Sequence, residues 1–346
     1  MPSASLIATT LLMRLGEAAN RSLVLPMLIV YPTSRCNSRC VSCDWWRSTG
    51  EDDLTLAEIG RLADSLPALG TRLVVFSGGE PLLRPDVFEA AELFRSRRVT
   101  LHLLTSGVLL ERRALEIVRS FQRVIVSLDG STEESYRAVR GIDALPALEA
   151  GVARLKSIRP ELPITARATL HKANYRELPR LVDKAKAMGF DGISFLAADM
   201  ASGAFGRSRR DSALGLALDR EEVAEFRAIV QAFVADHGDD FASGFIAESP
   251  AKLSRLPQYY AATLGDLPLP PVACNAPWVS AVVEADGGVR PCFFHRAIGN
   301  IRHTPLATIV RHELRAFRSR LDMSTDDVCR RCVCSLKVGW SHQPWQ

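Results

Sequence analysis

The sequence has no cysteine between Cys43 and Cys274, and no apolar run long enough to cross a bilayer. The first absence excludes a disulfide framework spread through the chain, so the thiols are read as reduced and the setting as cytoplasmic. The second leaves only the patch Leu6 to Leu15, which Arg14 interrupts and no basic residue precedes. It is read as an amphipathic helix packed on the domain, with a docking or membrane-surface helix as the alternative, and not as a signal peptide or a transmembrane segment. Charge of one sign is scarce too: a net +4 over 346 residues, spread along the chain, gives no electrostatic footprint for nucleic acid. With 47% apolar and 24% charged residues the chain is expected to fold as one large domain and a smaller one.

What is present is concentrated at two places. Cys36, Cys40 and Cys43 fall within one short loop after Leu28 to Tyr31, an apolar run that reads as a buried strand. Soft thiolates at this density select zinc or an iron–sulfur cluster, and both ordinarily take four protein ligands. The loop offers no fourth Cys and no His. A cubane cluster held by three thiolates keeps one iron open to a small molecule; zinc completed by a distant residue is the alternative.

A second apolar run, Leu73 to Phe76, ends in Ser77-Gly78-Gly79-Glu80-Pro81. The glycines let backbone groups approach a ligand closely, and Glu80 with the carbonyls offers acceptors for a cationic amine. The same turn is also ordinary strand-to-helix punctuation.

Short apolar runs alternate with helical patterns from residue 27 to about 196, the rhythm of βα units around a parallel sheet. Strands are predicted at Met27 to Tyr31, Arg72 to Phe76, Thr100 to Leu104, Arg123 to Leu128, Ile164 to Leu170 and Gly192 to Leu196. Thr55 with Glu58 predicts a capping box, and Gly189 a helix stop. The fold class is therefore α/β, a partial (βα)6 TIM-like barrel, whose ligands bind at the carboxyl ends of the strands. Besides the cysteine loop and the Gly-Gly-Glu-Pro turn, that rim receives Thr105-Ser106-Gly107, Ser127-Leu128-Asp129-Gly130, His171, Asn174 and Asp199.

From 201 to 272 the rhythm breaks. Arg207, Arg209 and Arg210 form a basic run that could close over the barrel mouth and take a substrate anion, though such a run is usually a solvated face. Glu221 to Ala235 reads as an amphipathic helix and Pro250 to Pro271 as a Pro-punctuated connection. Next, Val279, Ala281 and Val283 alternate before an Asp286-Gly287-Gly288 turn and a return through Val289 and Phe293. Such a hairpin brings Cys274 and Cys292 to one end. A helix over about Pro305 to Leu321 precedes Cys329, Cys332 and Cys334. Four of these thiols suit a structural zinc or a fully ligated [4Fe-4S] cluster equally well. The predicted organisation is an N-terminal helix (1–22), a barrel (23–200), a connecting segment (201–272) and a C-terminal cluster-binding hairpin and helix domain (273–346).

Cys-x3-Cys-x2-Cys followed by Gly-Gly-Glu-Pro resembles the signature of the radical S-adenosylmethionine (radical SAM) superfamily. The resemblance covers the whole barrel. It implies that Cys36, Cys40 and Cys43 hold a [4Fe-4S] cluster whose open iron takes the amino and carboxylate groups of S-adenosyl-L-methionine. Gly78, Gly79 and Glu80 would meet the amine, Ser127 the ribose or carboxylate, and Arg140, in Val139-Arg140-Gly141, the carboxylate. Ser127 and Asp129 as turn caps, and Arg140 as a surface charge, are the plainer readings. Many members carry an aromatic before the third cysteine; here it is Ser42, so Trp45 or Trp46 would supply the adenine face unless they are core.

Cys-x12-Gly-x4-Cys, a gap, then Cys-x2-Cys resembles the auxiliary-cluster extensions called SPASM and, in shortened form, twitch. The further cysteines of a full SPASM domain are missing after Cys334, which implies one auxiliary [4Fe-4S] cluster. Its ligands would be Cys274, Cys292, Cys329 and Cys332, with Cys334 as an alternate ligand or a bystander in preference to a hydrogen-atom donor near the substrate.

The resemblance implies an oxidoreductase- or lyase-type enzyme in which reductive cleavage of S-adenosylmethionine yields a 5′-deoxyadenosyl radical. That radical takes a hydrogen atom from a small polar metabolite, a carbohydrate-like one included, with net oxidation, decarboxylation, deoxygenation or epimerisation. A reduced flavodoxin- or ferredoxin-type protein would supply the electron. A peptide maturase is the alternative enzyme; with only about 25 residues before the first strand, no peptide-clamping domain is expected there. A zinc-bound scaffold without catalysis is the alternative of another class.

Overall fold

The computed structural model describes residues 4–207 and 215–339. After helix α1 (Ala4–Ala18) come β1 (Met27–Val30), α2 (Leu56–Leu69), β2 (Leu73–Phe76), α3 (Val87–Arg95), β3 (Thr100–Thr105), α4 (Ala114–Ser120) and β4 (Arg123–Ser127). The repeat continues through α5 (Glu133–Arg140), α6 (Leu145–Ile158), β5 (Ile164–Leu170), α7 (Leu178–Ala187) and β6 (Gly192–Ala197). All six strands fall within a residue or so of their predicted positions. Each of β1 to β5 pairs in parallel with the next, the outcome of successive right-handed crossovers. The Thr55–Glu58 capping box forms at α2, and Gly189 has a positive φ of 79° just after α7.

Strand side chains alternate between two environments. Leu28, Val30, Val74, Phe76, Leu103 and Val126 join the large core under the helices. Met27, Ile29, Leu73 and their neighbours point the other way, into the concave bore of the half-barrel. The sheet is thus buried on both sides, yet its bore face carries polar residues among the apolar ones.

Helices α8 (Arg220–Asp236), α9 (Gly238–Ala242) and α10 (Pro250–Thr263) follow. The first matches its prediction. The second half of this segment does not, because Pro250 to Thr263 is a helix and not a Pro-punctuated connection. Ser249 caps it, Pro250 occupies its first turn, and Leu253, Leu256 and Tyr260 bury one face; that burial outweighs the helix bond lost at Pro257.

Then come α11 (Ala276–Val279), β7 (Ser280–Val283), β8 (Gly288–Arg290) and β9 (Gly299–Asn300), with α12 (Leu306–Arg311), α13 (Glu313–Arg320) and α14 (Asp327–Arg330) closing the described chain. The hairpin forms, with Val283 opposite Val289. The sequence pattern gives no partner for it in the barrel, and there β7 pairs in parallel with β1, so one sheet runs β6-β5-β4-β3-β2-β1-β7-β8-β9. The edge of β1 would otherwise present unpaired backbone groups, and the fully buried Ser280–Val283 segment covers it. No described helix is long and apolar enough to cross a membrane.

Candidate active site

The loop after β1 is tied down before its first cysteine. Asp53 accepts from the Ser34 amide at 2.9 Å, from the Ser34 hydroxyl at 2.7 Å and from the Thr33 hydroxyl. Arg35 donates to the Leu83 carbonyl at 3.0 Å, and the Ser106 hydroxyl to Asn37 at 3.0 Å. Beyond Cys36 the loop is held by another element: the amides of Arg39 and Val41 donate to the carbonyls of Arg140 and Val139 at the end of α5. Gly141, with φ +67°, lets that end approach, since a Cβ there would stand 2.5 Å from the Arg39 carbonyl oxygen.

The Gly-Gly-Glu-Pro turn lies against the same loop. Gly79 donates to the Thr33 carbonyl, and the Glu80 amide to the Arg35 carbonyl at 2.8 Å. A Cβ on Gly79 would sit 2.1 Å from the Arg35 carbonyl oxygen, closer than any contact backbone can absorb without moving. Gly79→Ala is therefore expected to displace the cysteine loop and cut iron retained at this site by at least about half after anaerobic reconstitution. Retention equal to the wild type would show that the close approach is incidental.

Glu80 is fully buried, and its carboxylate accepts from the Leu82 amide (3.1 Å), the Thr105 hydroxyl (2.8 Å) and the Ser106 amide (2.6 Å). Burial pushes its pKa up and these bonds oppose that. Here the carboxylate braces the turn against the end of β3, near enough for Cys36 to feel its charge.

Arg140 reaches over the loop from α5. Its guanidinium pairs with Asp129 at 3.2 Å and lies 3.4 Å from the Ser38 hydroxyl, while its buried Nε has no hydrogen-bond partner. Asp129 is itself fixed, accepting from the Thr169 amide at 2.7 Å, and Asn174 donates to the Asp129 and Thr169 carbonyls. The structure thus brings the predicted rim residues Thr105, Ser106, Asp129, Arg140 and Asn174 together around the cysteine loop. Ser127 ends β4, half-buried, with its side chain on the bore face.

The segment after β6 closes the far side. Arg207 is not a solvated charge: it pairs with Asp199, both side chains under 5% exposed, and also donates to the Ala204 carbonyl at 3.2 Å. Arg209 and Arg210 lie outside the described residues. The buried pair holds a turn in which Phe205, at φ +62°, offers its carbonyl to the Asp44 amide at 2.9 Å and to the Cys43 thiol at 3.4 Å. Trp45 packs edge-on against Tyr31 in the bore cluster, and Trp46 carries the Arg47 guanidinium 4.1 Å from its ring centre.

All eight cysteines are free thiols. Burial raises the pKa of Cys36 to about 11 and of Cys43 to about 12, and the other thiols of the loop add to the rise; Cys40 moves the same way. Such thiols favour a cationic centre that accepts their negative charge. The second set surrounds the opposite end of the bore. Because β7 runs parallel to β1, Cys274 before it and Cys292 after β8 lie toward the amino ends of the barrel strands. Cys329, Cys332 and Cys334 join them, each shifted upward by burial and by neighbouring thiols of the set. His295 adds its Nε2 3.5 Å from the Cys329 sulfur and 3.5 Å from Asp326, a neighbour that no spacing signal in the sequence announces.

A tetrahedral zinc with bonds of about 2.3 Å draws its sulfurs to within about 4 Å of one another. Among the described residues, His295, Asp326 and Cys329 are the group whose donor atoms lie within 4.8 Å. Neither thiol set contracts that far, although the thiols of each sense one another's charge. An unbonded Arg140 Nε lies beside the first set.

Residues 30–196 match the radical SAM superfamily, and residues 274–333 the SPASM iron–sulfur cluster-binding domain. The chain belongs to the radical SAM superfamily. Its SPASM-type region implies an auxiliary cluster besides the [4Fe-4S] cluster that binds S-adenosylmethionine. Over 170 residues this radical SAM protein is 33% identical to an AdoMet-dependent heme synthase of Methanosarcina barkeri, covering 47% of this chain and 48% of that one. It is 28% identical over 166 residues to a PqqA peptide cyclase of Granulibacter bethesdensis, covering 47% and 44%. The chain thus spans about half the length of the curated relatives it matches. Streptococcus suis SuiB, solved with S-adenosylmethionine, superposes with a TM-score of 0.67 over 96% of this chain and 77% of that one, at 13% identity, a likeness of fold.

Between the cysteine sets lies a cavity of about 680 Å³ bounded by the bore faces of the strands and by all five C-terminal cysteines. Ser77, just before the Gly-Gly turn, lines it from the side of the first set. The buried Tyr31 hydroxyl senses the charge of both Cys43 and Cys292, which places it between the two.

Proposed function

We propose that the chain is an oxidoreductase-type radical SAM enzyme that removes a hydrogen atom from a small organic molecule held in the bore. The observation that carries this reading is one chamber of about 680 Å³, walled by the bore faces of the strands and by the five C-terminal cysteines, with Ser77 at the end where the Gly-Gly turn meets the first thiol set. In this reading Cys36, Cys40 and Cys43 hold the [4Fe-4S] cluster at the strand ends. Gly78 and Gly79 carbonyls receive the sulfonium's amine, Arg140 the carboxylate and Ser127 the ribose, with Glu80 bracing the turn behind them. When bound, the cluster and S-adenosylmethionine supply a one-electron route to a hydrogen-abstracting carbon radical.

Cys274, Cys292, Cys329 and either Cys332 or Cys334 hold the auxiliary cluster, where an electron leaving the substrate could be accepted. Tyr31, Trp45 and the apolar bore residues exclude water from the space between. A flavodoxin- or ferredoxin-type donor in a reducing, cytoplasmic compartment completes the scheme. A chamber of this size favours a small metabolite over a folded partner, and an extended peptide segment is the second reading, supported by the sequence similarity to a PqqA peptide cyclase.

The test is anaerobic reconstitution. About eight iron atoms per chain, negligible zinc and dithionite-dependent formation of 5′-deoxyadenosine are expected. Zinc in place of iron at residues 36–43 would overturn the proposal.

A further inference from the structure

The bore is predominantly apolar, which makes two of its residues conspicuous. Arg123 and Arg167 project into the cavity from β4 and β5, both half-buried, with His102 of β3 beside Arg123 in register. Buried arginines are normally paired. These two are in no ion pair among the described residues, although Arg167 is near enough for the buried Glu248 to feel its charge. The acidic groups within reach are already engaged. Asp191 binds Lys156 at 2.7 Å, and Glu248 accepts from the Phe195 amide at 2.8 Å with Lys252 3.6 Å away. Burial, aided by Arg123, lowers the His102 pKa to about 4, so His102 is neutral and adds no charge of its own.

Arg167 is the better prepared of the pair. Its Nε donates to Ser194 on β6 at 3.2 Å, and among the described residues its two terminal nitrogens, at the cavity wall, make no hydrogen bond. The strand register sets it level with Ser127 and Ser194 across β4, β5 and β6, and its charge is felt by Cys334. A group bound there stands between the two cysteine sets.

We propose that the bore binds an anionic substrate, a carboxylate or phosphate ester on an otherwise apolar body, and that Arg167, oriented by Ser194, receives the anionic group in a two-pronged hydrogen bond. Arg123, four residues down β4 from the level of Arg167 and so about 13 Å along the strand, offers a second, weaker position at the far end. This rests on the reading of the bore as the substrate chamber, and it narrows the substrate from a generally polar, sugar-like molecule to one that is acidic and largely apolar.

The test needs no turnover, so its result is separable from that of the radical chemistry. Reconstituted protein with S-adenosylmethionine and oxidised clusters is titrated with phenylbutyrate, phenylbutyramide and phenyl phosphate, with binding read by saturation-transfer NMR. At least one anion should bind about tenfold more tightly than the neutral amide. The preference for carboxylate or phosphate identifies the group. Arg167→Gln should abolish the discrimination, and Arg167→Lys should restore part of it, while iron content and cluster absorbance stay at wild-type levels. Equal binding of acid and amide by the wild type, or an Arg167→Gln protein that still prefers the anion, overturns the proposal. So does an Arg167→Gln protein that alters only the electron paramagnetic resonance of the reduced auxiliary cluster, since Arg167 would then serve that cluster's charge.

Discussion

Replacing Cys36, Cys40 and Cys43 together by alanine should remove about four of about eight iron atoms and abolish 5′-deoxyadenosine formation. The remaining iron should stay with the C-terminal thiols. The reason is geometric: the loop is fixed by backbone bonds to α5 and by Asp53, not by the thiols, so its shape should survive the loss of its sulfurs. The two thiol sets sit at opposite ends of the bore and share no side chain, so their metal contents are independent. Cys274→Ala is the reciprocal variant and should lose the other half of the iron. Wild-type turnover in the triple variant, or iron lost from both sites in either protein, would defeat the assignment.

Asp199→Ala is expected to be the most damaging single substitution away from the cysteines. It leaves Arg207 buried and unpaired, and breaking such a pair from one side costs about 3–5 kcal/mol. The same change frees the turn whose Phe205 carbonyl meets Asp44 and Cys43, so the N-terminal site should lose iron faster than the C-terminal one. Denaturant unfolding with iron measured along the transition checks both effects. A double Asp199→Leu, Arg207→Met variant should recover much of the stability, because removing both charges removes the burial penalty. If the single variant unfolds at the wild-type denaturant concentration, the pair is not structural.

The barrel was legible because its strands are short apolar runs separated by helical periodicity, and local pattern decides such elements. The cysteine loop and its turn were legible for a similar reason: their spacing is a property of adjacent residues. Pro250 to Thr263 defeated the same approach, since two prolines mask a helix whose buried face includes Leu253, Leu256 and Tyr260.

By itself the sequence determined the six parallel strands, the two groups of thiols and the chemistry that three sulfurs near a Gly-Gly turn permit. Only the tertiary structure decided that β7 lies beside β1 and so carries Cys274 and Cys292 to the amino end of the bore. Only there does Arg207 prove buried against Asp199, and Glu80 prove occupied by Thr105 and Ser106. Periodicity and spacing report neighbours along the chain. Which distant edge a strand covers, and whether a charge finds a partner, depend on contacts between segments far apart in sequence.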